Sequence, residues 1–134
     1  MSPDDGNFDV RVTIESTEDV VVARQRGRAL AVDLGFSASE ATLIAAAISE
    51  LARNIVKYAG SGEVLLRRNS DSMLLVIARD EGPGIPDVRA ALEPGYSTSG
   101  GLGLGLPGVR RIADLFEIVS NAGGTIVTVG KSKR

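Results

Sequence analysis

The chain has 134 residues, 43% of them hydrophobic and 24% charged, with a net charge of −2. That suits one globular domain with a real core, and it lacks the basic balance of a nucleic-acid binder. Cysteine, histidine and tryptophan are all absent, which excludes disulfides, thiolate catalysis and histidine as base, zinc ligand or phosphoacceptor.

Residues 1–7 are expected to form a disordered tip, and the opening MSPDDGNFD is acidic and polar, unlike a signal peptide. No apolar run approaches the ~20 residues needed to cross a bilayer. The expectation is a cytoplasmic protein with no membrane and no nucleic-acid partner. Phe8 to Ile14 alternates apolar and polar, as a half-buried strand does. Ser16 to Asp19 then offers a helix cap with acids in the first turn. Val20, Ala23, Gly27, Leu30 and Leu34 recur at steps of three and four and predict a helix over 17–34, ended by Gly35. Gly27 on that stripe allows close packing against a neighbour.

Ser37 or Ser39 can cap a second helix, with a stripe of Ala41, Ile44, Ile48, Leu51, Ile55 and Tyr58 and a stop at Gly60. GEVLLRR and SMLLVIARD, separated by NSDS, read as an antiparallel hairpin. The continuous apolar run of the second strand makes it central. EGPGIPD is a rigid loop, VRAAL a short helix and EPGYSTSGGLGLG a long glycine-rich loop. A helix is predicted from Pro107 to Leu115, then a hairpin of FEIVSN and TIVTVGK turning at AGG, with KSKR as a solvated tail. The order predicts an α+β fold in one domain over 1–134: a single mixed or antiparallel sheet with helices packed on one face.

Three constellations could carry chemistry. In SELARN, Glu50 and Asn54 lie four apart, hence on one helix face at the edge of the buried stripe. Asn54 can offer an oxygen to a hard cation such as Mg2+, and Glu50 can accept a proton from an attacking hydroxyl. In ARDEGPGIPD, a strand delivers Asp80, an acceptor for an exocyclic amine such as that of adenine. Gly82 and Gly84 follow, and Gly84 would let the backbone approach a flat base. In STSGGLGLGLPGVRR, glycines 100, 101, 103 and 105 alternate with Leu102 and Leu104 directly before a helix. Such N–H groups can converge on phosphate, with Arg110 or Arg111 adding positive charge. It is not a Walker A loop, for there is no G-K-[ST], and no strand leads into it as in a Rossmann turn. Taken singly, each stretch has an ordinary explanation: an exposed helix pair, an Asp-Gly-Pro turn, a mobile loop.

In this order and spacing, with GGT entering the last strand, they resemble the GHKL (Bergerat) ATP-binding fold of histidine kinases, Hsp90, MutL and gyrase, over nearly the whole chain. The resemblance implies Glu50 as general base, Asn54 as the Mg2+ ligand and Asp80 on adenine. It implies Gly82 and Gly84 in the base loop, and Gly100, Gly101, Leu102, Gly103, Leu104 and Gly105 in a lid over the phosphates of ATP. Arg110 would follow the lid, and Thr125 would support the adenine contact through water. With no histidine to phosphorylate and no room for the extra domains of the clamping ATPases, the phosphoacceptor must belong to another protein. ISELARNIVKYAGSGE, DEGPGIPD and GYSTSGGLGLGLPGVRRIADLF are most similar to the boxes of RsbT-type serine/threonine switch kinases. That likeness implies STAS-domain substrates (RsbS/RsbR-like) and a PP2C-type phosphatase (RsbU-like) bound and activated on release. The alternative it leaves is an RsbW-type anti-sigma factor that sequesters a sigma factor and phosphorylates its anti-anti-sigma factor.

Overall fold

The structure, a computed structural model, describes residues 8–70, 72–85, 87–92 and 105–134. The expected N-terminal tip and most of the expected lid, with Gly100, Gly101, Leu102, Gly103 and Leu104, lie outside the described residues.

Strand β1 (Val10–Ile14) starts two residues later than the alternation predicts, although Asp9 N–H still donates to the Leu66 carbonyl at 2.9 Å. Helix α1 (Thr17–Asp33) is capped by Ser16, whose hydroxyl accepts from Asp19 N–H, and Gly35 closes it at φ +93°. Helix α2 (Ala38–Tyr58) starts in a capping box: Ser37 Oγ accepts from Glu40 N–H at 3.1 Å and the Glu40 carboxylate accepts from Ser37 N–H at 3.0 Å. Such a cap is worth about 1 kcal/mol. It decides between the two candidate serines in favour of Ser37.

Strands β2 (Gly62–Arg68) and β3 (Met73–Asp80) form the expected hairpin, followed by the short helix α3 (Val88–Ala91), helix α4 (Gly105–Ile112) and strands β4 (Leu115–Asn121) and β5 (Gly124–Ser132). The sheet order is β1-β2-β3-β5-β4 with every pairing antiparallel, so the mixed alternative falls away and β3 is the middle strand. One row across the sheet, Val12–Val64–Ala78–Val127, and the next, Leu66–Val76–Val129, join the core formed with Ile44, Ile48, Leu51 and Ile55 of α2. Gly27 of α1 is needed where it stands: a Cβ there would lie 2.1 Å from Ile48 Cδ1.

Two expectations near the C-terminus are corrected. The last helix does not reach Leu115. Its final amide bond is Ala113 N–H to the Val109 carbonyl, and Asp114 N–H already donates to the Gly130 carbonyl at 2.8 Å, so the sheet takes the chain over. KSKR is not a solvated tail. Lys131 is buried within β5, Lys133 Nζ donates to the Leu34 carbonyl at 2.9 Å, and Arg134 N–H donates to Glu40 at 2.8 Å. The basic end satisfies the C-terminal carbonyl of α1 and an acid in the first turn of α2. Asp114 gathers the same segment: it accepts from Ser132 N–H at 2.7 Å and pairs with Lys131 and Arg134. The Ser132 amide is the main reason that its carboxyl is held below the ordinary value of 3.8, against a smaller opposing effect of burial.

Candidate active site

The third row of the sheet is polar, unlike the two core rows. Asp80 at the end of β3 faces Thr125 of β5 in the ladder, and Ser120 of β4 lies beyond it. These residues and the facing turns of α2 enclose a narrow cleft. Leu51, Asn54, Ile55 and Tyr58 form one wall, and Ala78, Asp80, Thr125 and Val127 the other, with Ile85 at its edge. Asn54, Asp80 and Thr125, more than seventy positions apart at the extremes, thus line one narrow, mainly apolar cleft.

Each polar group in the slot is oriented by a neighbour. Asp80 Oδ1 accepts from Gly82 N–H at 2.9 Å, the Asx turn that fixes its rotamer. Thr125 Oγ1 lies 2.7 Å from Ser120 Oγ, which in turn accepts from Ile85 N–H at 2.7 Å. This hydroxyl pair couples the base loop to β4 and β5. Ser120 escapes motif reading, and its signal is the strand register alone. Asn54 is half-buried, and its amide makes no hydrogen bond to a described residue.

The glycines of the loop have packing reasons of their own. Gly84 takes φ +88°, and a Cβ there would lie 2.2 Å from the Asn121 carbonyl oxygen. A Cβ on Gly82 would lie 2.5 Å from that of Ala59, at the end of α2. Both are close approaches of the loop to the protein itself.

One turn before Asn54, Glu50 is 6% exposed. Its Oε2 accepts from Gly105 N–H at 2.9 Å and its Oε1 pairs with Arg53 Nη1 at 2.5 Å. The carboxylate therefore anchors the first residue of α4, where the expected lid ends. Arg53, three residues on, is a partner that motif reading missed and that i,i+3 spacing could have found. Gly105 is buried at φ +59°. Arg110 and Arg111 lie exposed on α4, away from the buried Leu106 and Val109, and neither lines the cleft. Among the described residues no cluster of three or more acidic groups could hold a metal on its own. A Mg2+ ion here would need the other common pattern, with one protein oxygen such as that of Asn54 and the rest from phosphates and water.

A helix-borne Glu and Asn over a sheet-borne Asp and Thr, beside a loop-to-helix junction, is an arrangement for nucleotide phosphoryl chemistry. Residues 14–131 match the histidine kinase-like ATPase domain, and the chain belongs to that family. Over 115 residues it is 51% identical to the serine/threonine-protein kinase RsbT of Bacillus subtilis, covering 84% of this chain and 86% of the relative. Within the family it therefore stands with the RsbT-type serine/threonine-protein kinases, which use ATP. The fold is also shared by the RsbU and RsbW domains of a Mycobacterium tuberculosis protein, with a TM-score of 0.67 and 20% identity over 92% of this chain and 32% of that one. The SiaB–SiaC complex of Pseudomonas aeruginosa gives 0.64 and 16% over 94% and 91%. No helix among the described residues is long and apolar enough to cross a membrane.

Proposed function

We propose that this kinase transfers the γ-phosphoryl group of ATP to a Ser or Thr of a STAS-domain protein in a partner-switching module. Released from that substrate, it binds and activates a PP2C-type phosphatase. Asp80 accepts from the adenine amino group, with its rotamer held by Gly82 N–H, and Thr125 and Ser120 support the contact from β5 and β4. Asn54 supplies an oxygen to Mg2+, which when bound neutralises phosphate charge. The lid residues 100–105 cradle the phosphates with backbone N–H groups, and Arg110 lends positive charge once the lid is closed. Glu50 takes the proton of the acceptor hydroxyl as its oxygen bonds to the γ-phosphorus and the bond to the β-phosphate oxygen breaks, leaving ADP. Catalysis of this kind is mostly positioning and charge neutralisation.

The observation that supports the reading is a buried carboxylate one helical turn from an Asn amide that has no partner among the described residues, beside the slot that holds Asp80 and Thr125. A pure nucleotide-dependent binder has no use for a base at that point. The test is incubation with Mg-ATP and a purified STAS-domain protein, read by intact mass. The expected result is a gain of one phosphoryl group on a Ser or Thr. An unchanged mass with ATP bound would refute the transfer.

A further inference from the structure

Both carboxylate oxygens of Glu50 are engaged. Oε2 accepts from Gly105 N–H at 2.9 Å, and Oε1 pairs with Arg53 Nη1 at 2.5 Å. The two members of the ion pair differ in freedom. The Glu50 side chain is 8% exposed and that of Arg53 38%. The guanidinium is therefore the movable partner, and when it leaves, the buried carboxylate keeps the Gly105 amide.

Helix geometry fixes what lies on each side of Glu50. At 3.6 residues per turn, Arg53 stands about 60° to one side of it and Asn54 about 40° to the other. The linings agree: Asn54 faces the slot, while Glu50 and Arg53 line the cavity between α1 and α2. Among the described residues no Lys or Arg lines the slot itself, and Arg110 and Arg111 are exposed on α4. Phosphoryl transfer spreads negative charge over the three oxygens that stay on phosphorus, and a cation beside them stabilises it. With Glu50 as base, the acceptor hydroxyl stands about 2.6–3.2 Å from the carboxylate and about 3–3.5 Å from the γ-phosphorus. A guanidinium that already touches Glu50 then reaches the γ-phosphoryl oxygens by a change of rotamer. Its planar fork matches two of them at once.

We propose that Arg53 is a further catalytic residue, which turns from Glu50 to the γ-phosphoryl oxygens when ATP is bound. The turn does two things. It sets a positive charge on the flank of the phosphoryl group opposite Asn54, and it clears Glu50 Oε1 for the acceptor hydroxyl. The hydroxyl oxygen bonds to the γ-phosphorus as the bond to the β-phosphate oxygen breaks. The proton passes to Glu50, ADP keeps the electron pair of the broken bond, and Arg53 stays protonated throughout. This rests on the kinase reading above and adds a residue that reads the γ-phosphate.

The test compares wild type, Arg53→Gln and Arg53→Lys, each also in the Glu50→Gln background. Calorimetry follows binding of Mg-ADP and of the Mg2+ complex of the β,γ-imido analogue of ATP, beside a thermal melt and single-turnover transfer to the STAS-domain acceptor. Arg53→Gln is expected to keep the ADP affinity of wild type and to bind the imido analogue about tenfold or more weakly. The same loss appears in the Glu50→Gln background, where the ion pair is already gone. Arg53→Lys keeps the charge without the fork, so it loses part of the affinity for the analogue and none of that for ADP. Transfer falls in the same order, by about 10²–10³-fold for folded Arg53→Gln. Should Arg53→Gln melt below the assay temperature, Arg53→Lys carries the comparison. Unchanged affinity for the analogue overturns the contact. So does a loss shared equally by ADP, or one seen only while Glu50 is charged, since Arg53 would then act as a structural partner alone. Wild type that prefers the analogue through Arg53 and transfers nothing counts against the kinase reading and leaves the γ-phosphate contact standing.

Discussion

Glu50→Gln separates chemistry from architecture. The carboxylate accepts from Gly105 N–H at 2.9 Å and pairs with Arg53 at 2.5 Å. Glutamine keeps an oxygen for Gly105 and turns its amide toward Arg53. That arginine is 38% exposed at its side chain and can turn to water, so the lost pair costs less than about 1 kcal/mol. Exchanging a charged acceptor for a neutral one costs about 1 kcal/mol more. The total of about 1–2 kcal/mol lowers the melting temperature by about 4–8 °C and leaves the protein folded. The proton acceptor, by contrast, is gone, and a positioned base is worth about 10²–10⁴ in rate, or about 3–5.5 kcal/mol of barrier. Single-turnover transfer from labelled ATP, run beside a thermal melt and a Mg-ADP titration, reads all three quantities. Transfer within about threefold of wild type by the folded variant would refute the role of Glu50. Glu50→Ala is the poorer probe, because it also leaves Gly105 N–H without its acceptor and unseats the start of α4.

Ser120→Ala strips the partner from the Ile85 amide and from Thr125 at once, and is expected to cost about 1–3 kcal/mol, read as a lower urea midpoint. It also weakens ADP binding, since the base loop loses its tie to β4; an unchanged ADP affinity would limit Ser120 to a structural role. Gly84→Ala is expected to cost at least about 2 kcal/mol, since φ is +88° and the new Cβ meets the Asn121 carbonyl; urea unfolding with no loss of stability would contradict the turn geometry. The Asp114 carboxyl, held low chiefly by the Ser132 amide, contributes stability that is present above its unfolded value and lost as pH falls through its lower folded value. Urea midpoints followed on acidification below the ordinary carboxylate range should therefore fall less steeply for Asp114→Asn than for wild type, and parallel curves would show that Asp114 does not carry the effect.

Much of this arrangement was legible in residue order because local rules and tertiary demands agree. The α2 stripe and the serines before it point to the same helix start, which the structure assigns to Ser37, and the unbroken apolar run of β3 predicts the central strand that it is. Glu50 and Asn54 stand out by their i,i+4 spacing and Asp80 by its place at a strand end before two glycines, whereas Thr125 is named only through the family resemblance. What stayed hidden depends on register and long-range partners. Ser120 joins Thr125 only through the β4–β5 pairing, and Arg53 reads as a surface charge until Glu50 is seen to be buried. Lys131, Lys133 and Arg134 look like a solvated tail because nothing nearby in sequence announces the Leu34 carbonyl, Glu40 or Asp114 as their partners. Helix α4 is predicted to run to Leu115, whereas the pairing of Leu115 with Gly130 claims that residue for the sheet.

The central claim is that the slot between α2 and the Asp80–Thr125 row binds an adenine nucleotide. Titrating Mg-ADP into wild-type protein and Asp80→Asn by calorimetry addresses it directly. The account predicts saturable heat for wild type, at least about tenfold weaker binding for Asp80→Asn, and a lost preference for ADP over GDP. No heat for wild type at ligand on the order of millimolar, or binding and base preference indifferent to Asp80→Asn, would contradict it.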